Sequence, residues 1–169
     1  MMNRRLVLTA AATIVGATAA AAEPAQVAVF SSWKVYTSNE PDGKMCFVAA
    51  QPSDSKYSQT ITSRDPVFFM ITSIPAKKIR NEVSTIVGYA FGPSATVQLD
   101  IDGMKSTMFT ANTDTAWAMA DNEAALVNLL KGGATLKVNG TSKRGTTTTD
   151  TYSLTGITAA LQRMAMECP

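Results

Sequence analysis

Apolar positions along this chain recur mostly at every second residue, in short runs bounded by Pro, Gly, Asn and Asp, as they do in half-buried strands. Residues 27–36 read as one or two short strands carrying Trp33, Val35 and Tyr36. A turn at 39–43 (Asn-Glu-Pro-Asp-Gly) leads into a strand at 45–50 that holds Cys46. Residues 51–65 are polar and read as a long connection, after which the dense apolar run 67–74 predicts a well-buried strand that Pro75 ends.

A basic turn with Lys77, Lys78 and Arg80 precedes a predicted strand at 82–91. The clearest hairpin follows: Val97, Leu99 and Ile101 alternate with Thr96, Gln98 and Asp100, and Asp102-Gly103 suits a type I′ turn into 104–110. Residues 111–120, around Ala116-Trp117-Ala118, read as a loop or irregular edge. Residues 121–131 then form a short helix, with Asp121 as its expected cap and Gly132-Gly133 as its stop. Strands at 134–141 and 146–154 make a second hairpin, the latter rich in Thr. In the last segment Ile157, Leu161, Met164 and Cys168 share one helical face. The sum is a mainly β chain, an antiparallel β-sandwich or barrel with a short helix and a C-terminal helix. Without β-α-β alternation, a parallel nucleotide-binding sheet is not expected.

The first residues follow a different logic. Arg4 and Arg5 precede an uncharged apolar stretch that ends in Ala20-Ala21-Ala22 before Glu23, the layout of a secretory signal peptide over 1–22. The remaining 23–169 is the size of one domain, and no segment of it approaches the run of about 20 apolar residues that a membrane helix requires. Two of the fifteen Lys and Arg lie in the leader, so the rest balance the thirteen Asp and Glu. A formally neutral chain has no bulk field to gather phosphate backbones, which argues against nucleic acid as a partner.

Export also changes how the two cysteines are read. In an oxidising compartment Cys46 and Cys168 read first as a disulfide closing a long loop, the alternative being two unrelated buried thiols. Histidine is absent from the sequence. That removes Ser-His-Asp and Cys-His nucleophiles and the commonest zinc ligand, leaving carboxylates, lysine and hydroxyls for any chemistry. No cofactor and no tight metal site are expected.

The remaining motifs divide between structure and recognition. Ser53-Asp54-Ser55-Lys56 has the Ser-x-x-Lys form of penicillin-binding enzymes, but it lies in a polar loop without the accompanying Lys-Thr-Gly or Ser-Asp-Asn. Asp100 and Asp102 share a strand face as a glycosidase pair would, yet they belong to the polar side and turn of an amphipathic hairpin. Arg80 with Glu82, and Lys143-Arg144 with Asp150, place cations near carboxylates. They read as ion pairs fixing loops or, more sharply, as a recognition patch. Trp33 is expected in the core, and Trp117 is a core plug or an anchor for a partner. Arg80, Glu82, Trp117, Arg144 and Asp150 are therefore the candidate interaction residues.

Several stretches, in order, resemble the invasion-associated locus B family of exported bacterial proteins. They are Trp33-Lys34-Val35-Tyr36, Lys44-Met45-Cys46-Phe47, residues 80–84 with Gly88-Tyr89, Ile101-Asp102-Gly103, Ala116-Trp117, and the run from Ser142-Lys143-Arg144-Gly145-Thr146 through residues 150–156 to Cys168. The resemblance implies a periplasmic or outer-membrane-associated β-rich protein, linked in pathogenic members to host-cell invasion, and it carries no catalytic residues across. The expected role is binding an envelope or host-surface partner without catalysis. A carboxylate-dependent envelope hydrolase and a lipophilic-ligand carrier are the alternatives.

Overall fold

The computed structural model describes residues 23–110 and 113–169; the leader read over 1–22 lies outside the described residues. In chain order the elements are β1 (Ala25–Phe30), β2 (Trp33–Glu40), β3 (Gly43–Ala50), β4 (Asp54–Tyr57), β5 (Phe68–Ile74), a 3-10 turn (Pro75–Lys77) and β6 (Ile79–Ile86). Then come β7 (Thr96–Ile101), β8 (Met104–Thr110), β9 (Thr115–Ala118), α1 (Ala120–Gly132), β10 (Thr135–Thr141), β11 (Thr147–Ser153) and α2 (Ile157–Glu167). The strands form one sheet in the order β1-β2-β3-β5-β6-β9-β8-β7-β10-β11-β4, and each pairing among the described residues is antiparallel.

The sheet does not close, because its edge strands β1 and β4 do not pair with each other. It is therefore sandwich-like, not a barrel. Its two halves fold onto each other: the Phe69 ring of β5 meets Tyr152 of β11 at 5.9 Å, and Trp33 Nε1 of β2 donates to the Ser153 carbonyl at 3.0 Å. Alternation decides which residues enter. Trp33 and Val35, Val48, Phe69 and Ile71, Val97, Leu99 and Ile101, Leu136 and Val138, and Tyr152 point inward and are buried. Trp33 is wholly buried, as its strand position predicts.

Both helices close the interior. α1 packs by Leu126, Val127 and Leu130, and α2 by Ile157, Ala160, Leu161 and Met164 against β1, β2 and β3. The one-face spacing of Ile157, Leu161, Met164 and Cys168 puts all four in the core. Cys168 is bonded to Cys46 across a Cα–Cα distance of 6.1 Å. Beside this link, Lys44 Nζ donates to the Glu167 carbonyl at 2.8 Å and pairs with its carboxylate at 3.0 Å, which Arg163 also reaches at 2.6 Å.

Hydrogen bonds from Lys44 and Arg163 hold the Glu167 carboxyl below its ordinary value of 4.5. A carboxyl lowered on folding stabilises the fold above its unfolded value, and that contribution disappears as pH falls through the folded one. We therefore expect Glu167→Gln to lower Tm at neutral pH. The gap to the unaltered protein should shrink to nothing as thermal melts are taken to progressively lower pH below 4.5.

Four local readings change. The polar connection over 51–65 contains β4, which pairs with β11 as the edge of the sheet; an edge strand with polar side chains shows no apolar period. The strand expected at 82–91 starts earlier and ends at Ile86, because the Val87 carbonyl is taken by Arg64 Nε and Gly88, with φ of 69°, bends the chain. Residues 115–118 form β9 between β6 and β8, while 111–112 lie outside the described residues. α1 starts at Ala120, so Asp121 sits in its first turn instead of capping it. The Asp102-Gly103 turn holds as read, with φ of 50° and 95°.

Candidate functional site

At one end of the fold, three segments meet around a cleft of about 540 Å³: the chain from Tyr57 to Asp65, the bend at Gly88–Ala90, and the β10–β11 turn from Ser142 to Thr146. The bend is possible because Gly88 has φ of 69°, and a Cβ there would run into the Asp65 carbonyl oxygen. An isolated bridge between Phe91 and Ser142, with Lys143 N donating to Ala90 O at 2.8 Å, ties the bend to the turn. Gln59 Nε2 donates to Thr146 Oγ1 at 2.6 Å and draws the third segment in.

Beneath the cleft lies a buried ion pair. Arg64 Nη1 and Nη2 donate to the two Asp150 carboxylate oxygens, both at 2.7 Å, and Arg64 Nε donates to the Val87 carbonyl at 2.6 Å. Ser55 Oγ adds a hydrogen bond to Asp150 Oδ1 at 2.7 Å. The two side chains are only 6% and 1% exposed. Burial opposes the arginine's charge, but the hydrogen bonds and charge of Asp150 outweigh it and raise the guanidinium above its usual value.

Two tyrosines flank this pair. The guanidinium carbon lies 5.7 Å from the Tyr57 ring centre and 5.1 Å from that of Tyr89. The Tyr89 hydroxyl bonds Thr148 Oγ1 at 2.9 Å, and burial pushes its pKa up. Tyr89 can lie there because Gly140 on β10 has no Cβ to strike its hydroxyl. The Arg64 guanidinium is thus spent on positioning the walls of the cleft.

Asp150 does not pair with Arg144. It alternates with Thr148 and Tyr152 along β11, so it faces inward, while Arg144 sits in an exposed turn. Lys143 and Arg144 consequently stand at the mouth of the cleft, exposed and without a salt bridge among the described residues. Arg64, Tyr57 and Tyr89 are the residues that sequence reasoning missed. The available signal was the inward position of Asp150, since a carboxylate between two buried side chains demands a cation.

The other candidates lie elsewhere. Arg80 Nη1 donates to the Cys168 carbonyl at 3.4 Å, and no Arg80–Glu82 salt bridge occurs among the described residues. Arg80 therefore belongs to the carboxy-terminal clamp. Trp117 is half-buried on β9, aligned between Ser84 and Phe109, with its ring stacked on Phe109 at 6.4 Å. The cleft and Trp117 are thus separate features.

The remaining carboxylate readings resolve into structure. Asp102 accepts from Ala134 N at 2.6 Å and from Thr135 N at 3.0 Å, fastening the turn to the start of β10. Asp100 pairs with Lys105 at 2.7 Å. Ser53 Oγ donates to the Thr151 carbonyl at 3.0 Å and lies just before a sheet edge, not at a helix start. Among the described residues no three His, Cys, Asp or Glu converge as a metal site, and no helix is long and apolar enough to cross a membrane.

A family model, Invasion associated locus B (IalB) protein, matches residues 33–165. That match runs from Trp33, through the Cys46 strand and the cleft, into α2. No curated protein and no solved structure matches the chain.

Proposed function

This chain belongs to the invasion associated locus B family, and from that premise we propose that it is an exported protein that acts by binding an envelope or host-surface partner at the cleft beside β11. Family and disulfide are those of an extracytoplasmic protein. The leader pattern supports delivery to the periplasm, with outer-membrane association as the further step.

One observation carries the binding reading: Arg64 takes Asp150, which frees Lys143 and Arg144 as cations at the mouth of an open cleft. Charges at such a rim steer encounter with an acidic surface, while the aromatic and hydroxyl groups inside supply contact area and hydrogen bonds. A binding role without catalysis is further supported by the engagement of Asp100, Asp102 and Asp150 in fixed structural contacts.

The test is capture from solubilised envelope on immobilised protein, comparing the intact chain with a Lys143→Ala, Arg144→Ala double variant. Both side chains are exposed, so the variant should melt normally. Partner retention should fall about ten-fold, and the salt sensitivity of capture should drop with it. Equal retention by both proteins would remove the cleft as the binding site, and turnover of a cell-wall polymer by the purified protein would replace binding with catalysis.

A further inference from the structure

A second concave site lies on the outer face of β2, β3, β5 and β6, away from the cleft and independent of its reading. Strand register builds it. Lys34, Ala49 and Met70 align across three strands, Tyr36 lies beside Phe47, and Phe68 lies beside Ile86. Sheet faces carry grooves only where small side chains stand between large ones. Here Ala49 makes the floor, while the Tyr36–Phe47 stack, with ring centres 5.0 Å apart, and Phe68 with Met70 make the walls. The groove encloses about 550 Å³, within the size range of small-molecule sites.

This half of the outer face differs from the other. Across β7, β10, β11 and β4 the aligned outward residues are Gln98, Asn139, Thr149 and Lys56, a polar row that suits water. The groove instead presents a nearly continuous apolar lining, and Lys34 is the one charged residue along it. Lys34 is exposed and makes no salt bridge among the described residues.

We propose that this groove binds a long-chain fatty acid, its alkyl chain lying over Ala49 between the aromatic walls and its carboxylate meeting Lys34. The apolar walls match an unbranched chain, and a lone cation at the end of the Ala49–Met70 row matches a single anionic head. A bilayer fits less well, because docking on anionic lipid draws on a cluster of cations and this concave site offers one.

Titration calorimetry with palmitate below its micellar concentration tests the assignment, with methyl palmitate as the uncharged probe. One palmitate per chain should bind, and the methyl ester should bind about five-fold more weakly, the scale of an exposed ion pair. Lys34→Glu should weaken palmitate by at least about five-fold while leaving the ester unchanged. Ala49→Met, which fills the floor, should abolish both; Met70→Asp, at an outward half-buried position, does the same work if Ala49→Met fails to fold. The Lys143→Ala, Arg144→Ala variant should bind palmitate normally, which separates failure of this site from failure of the cleft. Absence of palmitate binding, equal binding by the filled-groove variant, many palmitates per chain, or binding to phosphatidylglycerol vesicles without binding of the free acid would each overturn the proposal. So would a dimer of the unliganded protein that Ala49→Met dissociates, since the groove would then be occupied by a second copy.

Discussion

Loss of the Cys46–Cys168 link is expected to remove about 4 to 5 kcal/mol of stability, from the chain entropy released when a loop spanning 122 positions is opened. For a chain of this size that corresponds to a fall in Tm of about 10–15 °C. The measurement is denaturant unfolding of a Cys46→Ala, Cys168→Ala variant, chosen because both sulfurs are buried and alanine leaves no unpaired polar group in the core. Amides of α2 should lose hydrogen-exchange protection first, because the bond pins the end of that helix to β3. The Lys44–Glu167–Arg163 cluster is too exposed to substitute for it. A loss below about 1 kcal/mol would mean that residual structure already restricts the reduced unfolded chain and that the entropic account fails here.

Asp150→Asn should cost a comparable amount, about 3 to 5 kcal/mol, by leaving the Arg64 guanidinium buried without its counter-charge. Solvent does little to screen either partner, since the two side chains are 6% and 1% exposed. The carboxylate also accepts from Ser55, so β4 should fray from β11 and the cleft should widen. The informative comparison is a double variant, Arg64→Met with Asp150→Leu. Removing both charges removes the uncompensated one, so the double variant should lose clearly less than the two single changes added together. Additive losses would show that the pair contributes through separate contacts, such as Arg64 Nε with Val87, instead of through charge neutralisation.

How much of this was legible in the sequence varied with the range of the interaction. The inward alternation of Val97, Leu99 and Ile101, the Asp102-Gly103 turn and the single face shared by Ile157, Leu161, Met164 and Cys168 all follow from backbone periodicity, and all three hold. β4 escaped notice because its residues are polar and it is held by backbone pairing with β11, which no local pattern records. Arg80 and Glu82 read as a pair because they are two residues apart, at the passage from a basic turn into a strand. Arg80 instead reaches the Cys168 carbonyl, brought close by the docking of α2.

The candidate site was half legible. From the sequence, Lys143 and Arg144 read with Asp150 as ion pairs fixing a loop or as a recognition patch, and the pairing with Asp150 does not form because Arg64 takes that carboxylate. The partner of Asp150 lies 86 positions away in a segment with no periodicity to mark it. The outer groove was not legible, since Tyr36, Phe47, Phe68 and Ile86 look like ordinary alternating strand residues until the strand order sets them side by side.

By itself the sequence determined what acts over a few residues: strand and helix periods, turn chemistry, the leader pattern, the absence of histidine, and the presence of two cysteines fit for an oxidising compartment. Only the tertiary structure decided that the sheet stays open, that Arg64 and not Arg144 neutralises Asp150, and that outward side chains from β2, β3, β5 and β6 form a groove. The physical reason is that alternation tells which side of a strand a residue faces, whereas strand order and register decide which distant residue it faces there.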